Sequence, residues 1–312
     1  MVVAFFGTPQ FAVPTLRRLL ASRHQVRGVV TQPDRPRGRG QKVTDSPVKA
    51  VALAHGVPVV QPDRLRDAAF LDTFRSWSPD LGVVVAYGRL IPEELLTVPR
   101  LGMINVHASL LPRYRGAAPV HRAVINGESE TGVTIMRVVK ALDAGDMLAK
   151  APRPIGPDET SEEVERDLAT MGAQLLVETV DRLEAGGVRE EPQDPSASTY
   201  APKLTKEEGL IDWTAPAGVI HNRVRGLYPW PHAYTFLDGA RLIIRRTRIA
   251  DTATDAVAGT VIDAGRDAIT VAAGDRRSVV IEELQPEGRR PMRVRDFLAG
   301  RPVRPGARFD QS

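Results

Sequence analysis

At 312 residues with 42% hydrophobic side chains, the chain is longer than most single cores, so two domains are expected. It has no cysteine, which closes disulfide frameworks, thiolate metal sites and cysteine nucleophiles. No apolar run reaches about 18 residues and "MVVAFFGTPQF" places no basic stretch ahead of an apolar one, so neither a membrane span nor a secretory signal is expected, and the expected location is the cytoplasm.

In chain order, "VVAFF" (2–6) reads as a buried strand, Gly7 to Pro9 as its turn, and "QFAVPTLRRLLASR" as a helix with apolar residues at helical spacing. "QVRGVV" is a second strand. A long polar loop follows, then the helix "SPVKAVALAHG", with Ser46 at its N-cap and Pro47 at its first position, and the short strand "VPVV". "LGVVVAY" (81–87) is almost wholly apolar, as a strand covered on both faces should be, and "LGMINVH" is the next of this kind. "TGVTIMRVV" and "GDMLAKAPR" read as more amphipathic strands. A long amphipathic helix from Thr160, with a capping box to Glu163, ends in Gly-Gly. The alternation predicts an α/β, doubly wound, mostly parallel sheet of Rossmann-like type over 1–188. Residues 189–205 are polar, Pro-containing and aperiodic, which suits a linker. Beyond them one helix precedes alternating runs joined at Asp238-Gly239, a hairpin signal, and further short strands predict a small β-barrel, OB-like, over 206–312.

The net charge is only +4, but the cations are grouped: Arg35, Arg37, Arg39 and Lys42; Arg113 and Arg115; Arg245, Arg246 and Arg248; Arg289, Arg290, Arg293 and Arg295. Clustered guanidinium groups suit phosphate as well as plain surface cover. The first strand is not followed by GxGxxG, "RGRGQK" is no P-loop, and neither HExxH nor GxSxG occurs, so dinucleotide, nucleotide, zinc-protease and serine-hydrolase sites lack support.

What remains is "NVHASLLPRYRGAAPVHRAV" (105–124), a polar run directly after an apolar strand. In an open α/β sheet ligands bind at the carboxyl ends of strands. Asn105 and His107 share one face of an extended segment, because side chains alternate with period two. Asp143, in the Gly-containing turn of "VVKALDAGDML", supplies a carboxylate to orient the imidazole. Such a set suits a reaction that builds negative charge on a carbonyl oxygen: an oxyanion donor, a proton-transfer group and an orienting anion. The plainer alternative, a loop histidine and a turn-forming aspartate, stays open on residue type and spacing alone.

"FFGTPQFAVPTL", "VVVAYGRLIP", "NVHASLLPRYRGAAPVHRAVINGE", "TGVTIM" and "LDAGDML", in this order, closely resemble the folate-dependent formyltransferases. "TQPDRPRGRGQKVTDSPVK", "YAPKLTKEEGLIDW" and "GLYPWPHAYT" narrow the likeness to the branch that acts on methionyl-tRNA, and it covers essentially the whole chain. The resemblance implies transfer of the formyl group of 10-formyltetrahydrofolate to the α-amino group of methionine on the initiator tRNA, without a metal. It implies that Asn105 and His107 stabilise the tetrahedral oxyanion, while Asp143 keeps His107 suitably charged and assists proton movement through water. Ser109, Leu110, Leu111 and Pro112 are similar to a folate-facing loop. Tyr87, Gly88 and Leu90 correspond to the strand end lining the pterin pocket through backbone groups. The loop 31–45, with Arg35, Arg37, Arg39 and Lys42, resembles an insertion that meets the tRNA acceptor stem, Arg39 matching its key arginine. The barrel is only mildly cationic, so a tRNA role there falls to Arg245, Arg246 and Arg248. A monomer is expected. The alternatives are a formyltransferase for a small amine, such as glycinamide ribonucleotide or an amino sugar, and a catalytically silent tRNA binder.

Overall fold

The computed structural model describes residues 1–34, 36–37, 42–250 and 253–310, with the backbone alone at 36, 37, 42 and 43. The chain forms two compact units: Met1–Pro119 with Thr131–Pro154 and Glu165–Ala201, and Val120–Glu130 with Ile155–Val164 and Pro202–Ser312.

The first unit holds strands β1 (Val2–Gly7), β2 (Gln25–Val30), β3 (Pro36–Arg37), β4 (Lys42–Val43), β5 (Val59–Val60), β6 (Leu81–Val85), β7 (Met103–His107), β8 (Arg115–Gly116), β9 (Glu130–Arg137), β10 (Met147–Pro154) and β11 (Tyr200–Ala201). Its main sheet has the order β10-β9-β7-β6-β1-β2-β5. β5, β2, β1, β6 and β7 run parallel, and β9 is antiparallel to β7. β6 is buried along its whole length, as its apolar run requires of a strand with both faces covered. β9 is buried over six consecutive positions, more than the expected amphipathic pattern, because it lies inside the sheet between β7 and β10.

Helices α1 (Val13–Leu20), α2 (Pro47–Ala54), α3 (Ala68–Ser76), α4 (Glu93–Leu96), α5 (Pro119–Ile125) and α6 (Ser161–Glu184) connect these strands. Gln10–Ala12 is a separate 3-10 turn, so Pro14 falls in the first turn of α1, where its missing N–H has no partner to lose. Ser46 caps α2 by accepting from Lys49 N at 3.1 Å. The capping box of α6 is present: Thr160 N–H donates to Glu163 Oε2 at 2.8 Å, and Glu163 N–H to Thr160 Oγ1 at 3.3 Å. α3 has no counterpart in the sequence-based expectation. Asp67 caps it, and it buries Phe70 and Phe74. Phe74 meets Phe6 edge to face with centroids 5.5 Å apart, inside a core that also holds Trp77 and Tyr87. The chain leaves β1 for β2 on one side and later returns to β6 on the other. The carboxyl ends of β1 and β6 therefore flank a topological switch point, where open α/β sheets take ligands.

The second unit contains α7 (Ala217–Gly226), β12 (Ala233–Leu237), β13 (Ala240–Ala250), β14 (Val261–Ala264), β15 (Ile269–Ala272), β16 (Ser278–Pro286), β17 (Met292–Arg293), α8 (Val294–Gly300) and β18 (Phe309–Asp310). The strands form one curled antiparallel sheet, β14-β15-β16-β13-β12-β18, with β17 paired to β16. Hydrogen bonds from Val261 N to Ala307 O and from Phe309 N to Gly259 O tie its two ends together, which makes it the small barrel that was expected. Asp238 and Gly239 have φ of 49° and 71°, as a tight primed turn between β12 and β13 demands. Trp213 stacks on Phe309 at 5.6 Å and donates to Thr235 Oγ1 at 2.9 Å, so the buried indole N–H is satisfied.

His232 gives this unit a pH response. Burial, together with the adjacent Arg245, pushes its imidazole down to about 4, and its Nδ1 is buried without a partner among the described residues. An unfolded histidine titrates near 6.5. Between about 4 and 6.5 the unfolded chain therefore binds the extra proton, and stability present above that window is lost as pH falls through it. Asparagine accepts the φ of 70° at this position, so His232→Asn should leave the fold intact. The fall in Tm between pH 7.5 and 5, read by calorimetry, should shrink in His232→Asn by on the order of a few degrees; equal falls would refute the assignment.

Candidate active site

His107 ends β7, and Asn105 lies two residues earlier on the same face. His107 is 5% exposed, with Nε2 2.9 Å from the carbonyl oxygen of Tyr114 and Nδ1 3.7 Å from Asp143 Oδ2. A carbonyl only accepts, so Nε2 carries a hydrogen. The Asp143 carboxylate beside Nδ1 orients the ring at the strand end. The Asn105 side chain is half-buried and has no protein hydrogen-bond partner among the described residues. The sequence-predicted trio is thus brought together at one strand end, within the first unit.

Asp143 has a φ of 49°, uncommon for a residue with a side chain. Its carboxylate accepts from Gly116 N at 2.8 Å, and its carbonyl accepts from Gln193 Nε2 at 2.9 Å. The loop after His107 is bound just as fully. Ser109 Oγ donates to Arg113 O at 2.6 Å; Thr134 Oγ1 donates to Ser109 O at 2.7 Å and accepts from Leu111 N at 3.1 Å; Tyr114 N donates to Thr199 Oγ1 at 2.8 Å. β11 pairs in parallel with β8, so residues 199–201 are part of this scaffold. Gln193, Thr199 and Thr134 are absent from the sequence-based candidates. They come from an aperiodic segment and from the middle of a strand, where no spacing marks them.

The residues expected to face folate divide into two groups. Ser109 is fully buried with its hydroxyl engaged, Leu111 packs against Met136 and Met147, and the Tyr87 ring is in the apolar core, 5.6 Å from Phe6. Burial in that core pushes the Tyr87 phenol up. What these three offer a ligand is backbone. Gly88 and Leu90 lie beyond the end of β6. Gly88 has a φ of 82° and a Cβ there would meet Gln32 Nε2 at 2.6 Å, while Leu90 is 72% exposed. Gln32 Nε2 itself donates to Tyr87 O at 2.7 Å, fixing that strand end. Leu110 is half-buried, and Pro112 follows it in the turn.

The cationic candidates separate too. Arg35 and Arg39 lie outside the described residues, and Arg37 and Lys42 stand on the paired β3 and β4. In the second unit the register of β13 against β16 slips around Arg246, so consecutive residues no longer alternate cleanly between faces. Arg245 turns inward, bonding Glu283 at 3.0 Å and Tyr228 Oη at 3.1 Å. Arg246 and Arg248 are more than half exposed, 3.6 Å from Glu163 and 3.2 Å from Glu282 respectively. His121, on α5, gives Nδ1 to a 2.8 Å contact with Gly226 O, a structural role within the second unit.

Residues 1–180 match the family model described as Formyl transferase, and residues 203–302 the one described as Formyl transferase, C-terminal domain. The chain is 48% identical to the methionyl-tRNA formyltransferase of Geobacter sulfurreducens over 99% of its length and 97% of the relative's. It is also 48% identical to that of Moorella thermoacetica, over 98% of each. Among solved structures, the N-formyltransferase from Helicobacter canadensis, in complex with folinic acid and dTDP-3-aminofucose, superposes with a TM-score of 0.68 at 16% identity, covering 90% of this chain and 99% of its own. Glycinamide ribonucleotide transformylase 1 from Symbiobacterium toebii gives 0.52 at 20% identity, covering 62% of this chain and 94% of its own. At such identities these two structures speak to the fold alone.

Proposed function

The chain belongs to the formyl transferase family, and from that membership we propose that it transfers the formyl group of 10-formyltetrahydrofolate to the α-amino group of methionine on initiator tRNA. The near-full-length likeness to relatives named methionyl-tRNA formyltransferase carries this reading of the acceptor. The site supplies matching chemistry. The amine attacks the formyl carbon, and charge collects on the formyl oxygen. The Asn105 amide and the His107 ring supply hydrogen-bond donors for that oxygen, and a preorganised donor at such a point is worth about 10²–10³ in kcat. As the tetrahedral species collapses, the C–N10 bond breaks. The proton lost by the amine leaves through water beside Asp143, and N10 takes one up, so the proton count closes.

The folate would lie along the carboxyl ends of β6 and β7, its pterin read by backbone around Tyr87, Gly88 and Leu90 and by the turn Ser109–Pro112. A catalytic domain over 1–188 and a tRNA-binding barrel over 206–312 fit this division of labour, joined by 189–205, of which the part up to Ala201 packs within the first unit. Arg246 and Arg248 present charge to phosphate at the barrel. A monomer acting in the cytoplasm is the natural setting, and no helix among the described residues is long and apolar enough to cross a membrane.

The test is formyl transfer from 10-formyltetrahydrofolate to charged initiator Met-tRNA, with free methionine, glycinamide ribonucleotide and an amino sugar nucleotide as parallel acceptors. Transfer to the tRNA alone is expected; transfer only to a small amine would overturn the acceptor, and none at all would favour a silent binder. The loop 31–45 is tested separately. Arg39→Ala should raise KM for tRNA and lower the slope of log KM against log salt by about 1, since one phosphate contact releases about one counterion. A change confined to the folate KM would refute that role.

A further inference from the structure

We propose that Gln193 is a positioning residue for the transfer reaction, fixing where the Asp143 carboxylate stands beside His107. The inference rests on reading Asp143 and His107 as the reacting pair. Gln193 lies in the polar, aperiodic stretch after α6, which the first compact unit includes. It is nonetheless 8% exposed, and its amide is fully used. Nε2 donates to the carbonyls of both Asp143, at 2.9 Å, and Gly145, at 2.8 Å. Oε1 accepts from Arg115 Nε at 3.0 Å and Nη2 at 2.8 Å. The next residue along the chain, Gly116, gives its N–H to the Asp143 carboxylate at 2.8 Å.

These bonds close a ring: the 143–145 turn, Gln193, Arg115, Gly116 and back to Asp143. The ring holds a residue whose φ of 49° is unfavourable, so it supplies what the turn alone does not. The same stretch reaches the other partner. Thr199 O accepts from Arg115 N at 2.9 Å and Thr199 Oγ1 from Tyr114 N at 2.8 Å, and the Tyr114 carbonyl faces His107 Nε2 at 2.9 Å. Both members of the pair are thereby referred to one piece of backbone, and Gln193 touches the Asp143 turn through a side chain that can be changed without breaking strand pairing.

Gln193→Glu keeps the size and the Arg115 pairing but sets an acceptor against two carbonyl oxygens, which only accept. Gln193→Met keeps the volume and removes every hydrogen bond. Steady-state formylation of Met-tRNA would be measured for both variants, in the wild-type and in the Asp143→Asn background, with Tm recorded for each. The expected result is a fall in kcat of roughly 10–100-fold with KM for folate and for tRNA each within about threefold of wild type. In the Asp143→Asn background the same changes should cost nothing further, because a residue acting through Asp143 has nothing left to position. Unchanged kcat in both variants, or an equal loss in both backgrounds, would overturn the proposal while leaving the site reading standing. If Asp143→Asn alone left kcat unaltered, the site reading itself would fall, and the proposal with it.

Discussion

His107→Ala is expected to lower kcat by roughly 10²–10³-fold, the range for a lost oxyanion donor. KM for tRNA should stay within about twofold of wild type, because a residue that is 5% exposed at a strand end offers the nucleic acid almost no surface. The substitution also leaves the Tyr114 carbonyl without its donor and opens a cavity, so some loss of stability accompanies it, on the order of 1–3 kcal/mol. That loss and the kinetic one are separable. A stability effect lowers the fraction of folded enzyme and is cancelled when rates are normalised to active sites titrated with folate. A transition-state effect survives the normalisation. Normalised turnover at the wild-type level would remove His107 from the mechanism and leave it as a ring that joins β7 to the following loop.

Much of this arrangement can be read from the residues. The apolar runs of β1 and β6 announce strands covered on both faces, the Thr160–Glu163 pair announces the start of α6, and Asp238-Gly239 announces the hairpin of the barrel. Asn105 and His107 follow from strand periodicity plus the rule that ligands meet strand ends. The contacts that hold them do not. Gln193 and Thr199 lie far along the chain from Asp143 and Tyr114, in a segment with no hydrophobic period, and only the folded backbone brings them together. α3 escapes notice because its apolar residues, Phe70 and Phe74, make too short a stripe to stand out beside a polar, Pro-containing approach. Arg245, grouped in sequence with Arg246 and Arg248, turns inward to Glu283 and Tyr228 because of a slip in strand register that composition does not reveal. A cluster of arginines in sequence is therefore not yet a cluster on the surface.

Gly145→Ala should be nearly as damaging as loss of His107, although Gly145 is no candidate for chemistry. A Cβ there would stand 2.8 Å from the Arg137 carbonyl carbon and closer still to its oxygen, and backbone cannot yield as a flexible side chain can. Arg137 ends β9, its N–H donates to Asp146 O at 2.8 Å, and its guanidinium is anchored on Leu101 O at 2.6 Å and Glu190 at 2.6 Å, so the strand side is rigid. The 143–145 turn must move instead, and the Gly145 carbonyl that accepts from Gln193 moves with it. Displacement on the order of 1 Å at a catalytic group is enough for about a 10²-fold fall in kcat, and the strain should lower Tm by several degrees, as overpacking of about 1–3 kcal/mol does. Gly186→Ala serves as the control. Gly186 has a φ of 71° and a Cβ there would meet nothing within 4 Å, so alanine costs only the conformational penalty of about 1 kcal/mol. If both variants lose similar stability and only Gly145→Ala loses kcat, the defect lies in the placement of Asp143. If kcat survives in Gly145→Ala, the enzyme tolerates a displaced carboxylate, and the close register between the 143–145 turn and β9 is a matter of folding alone.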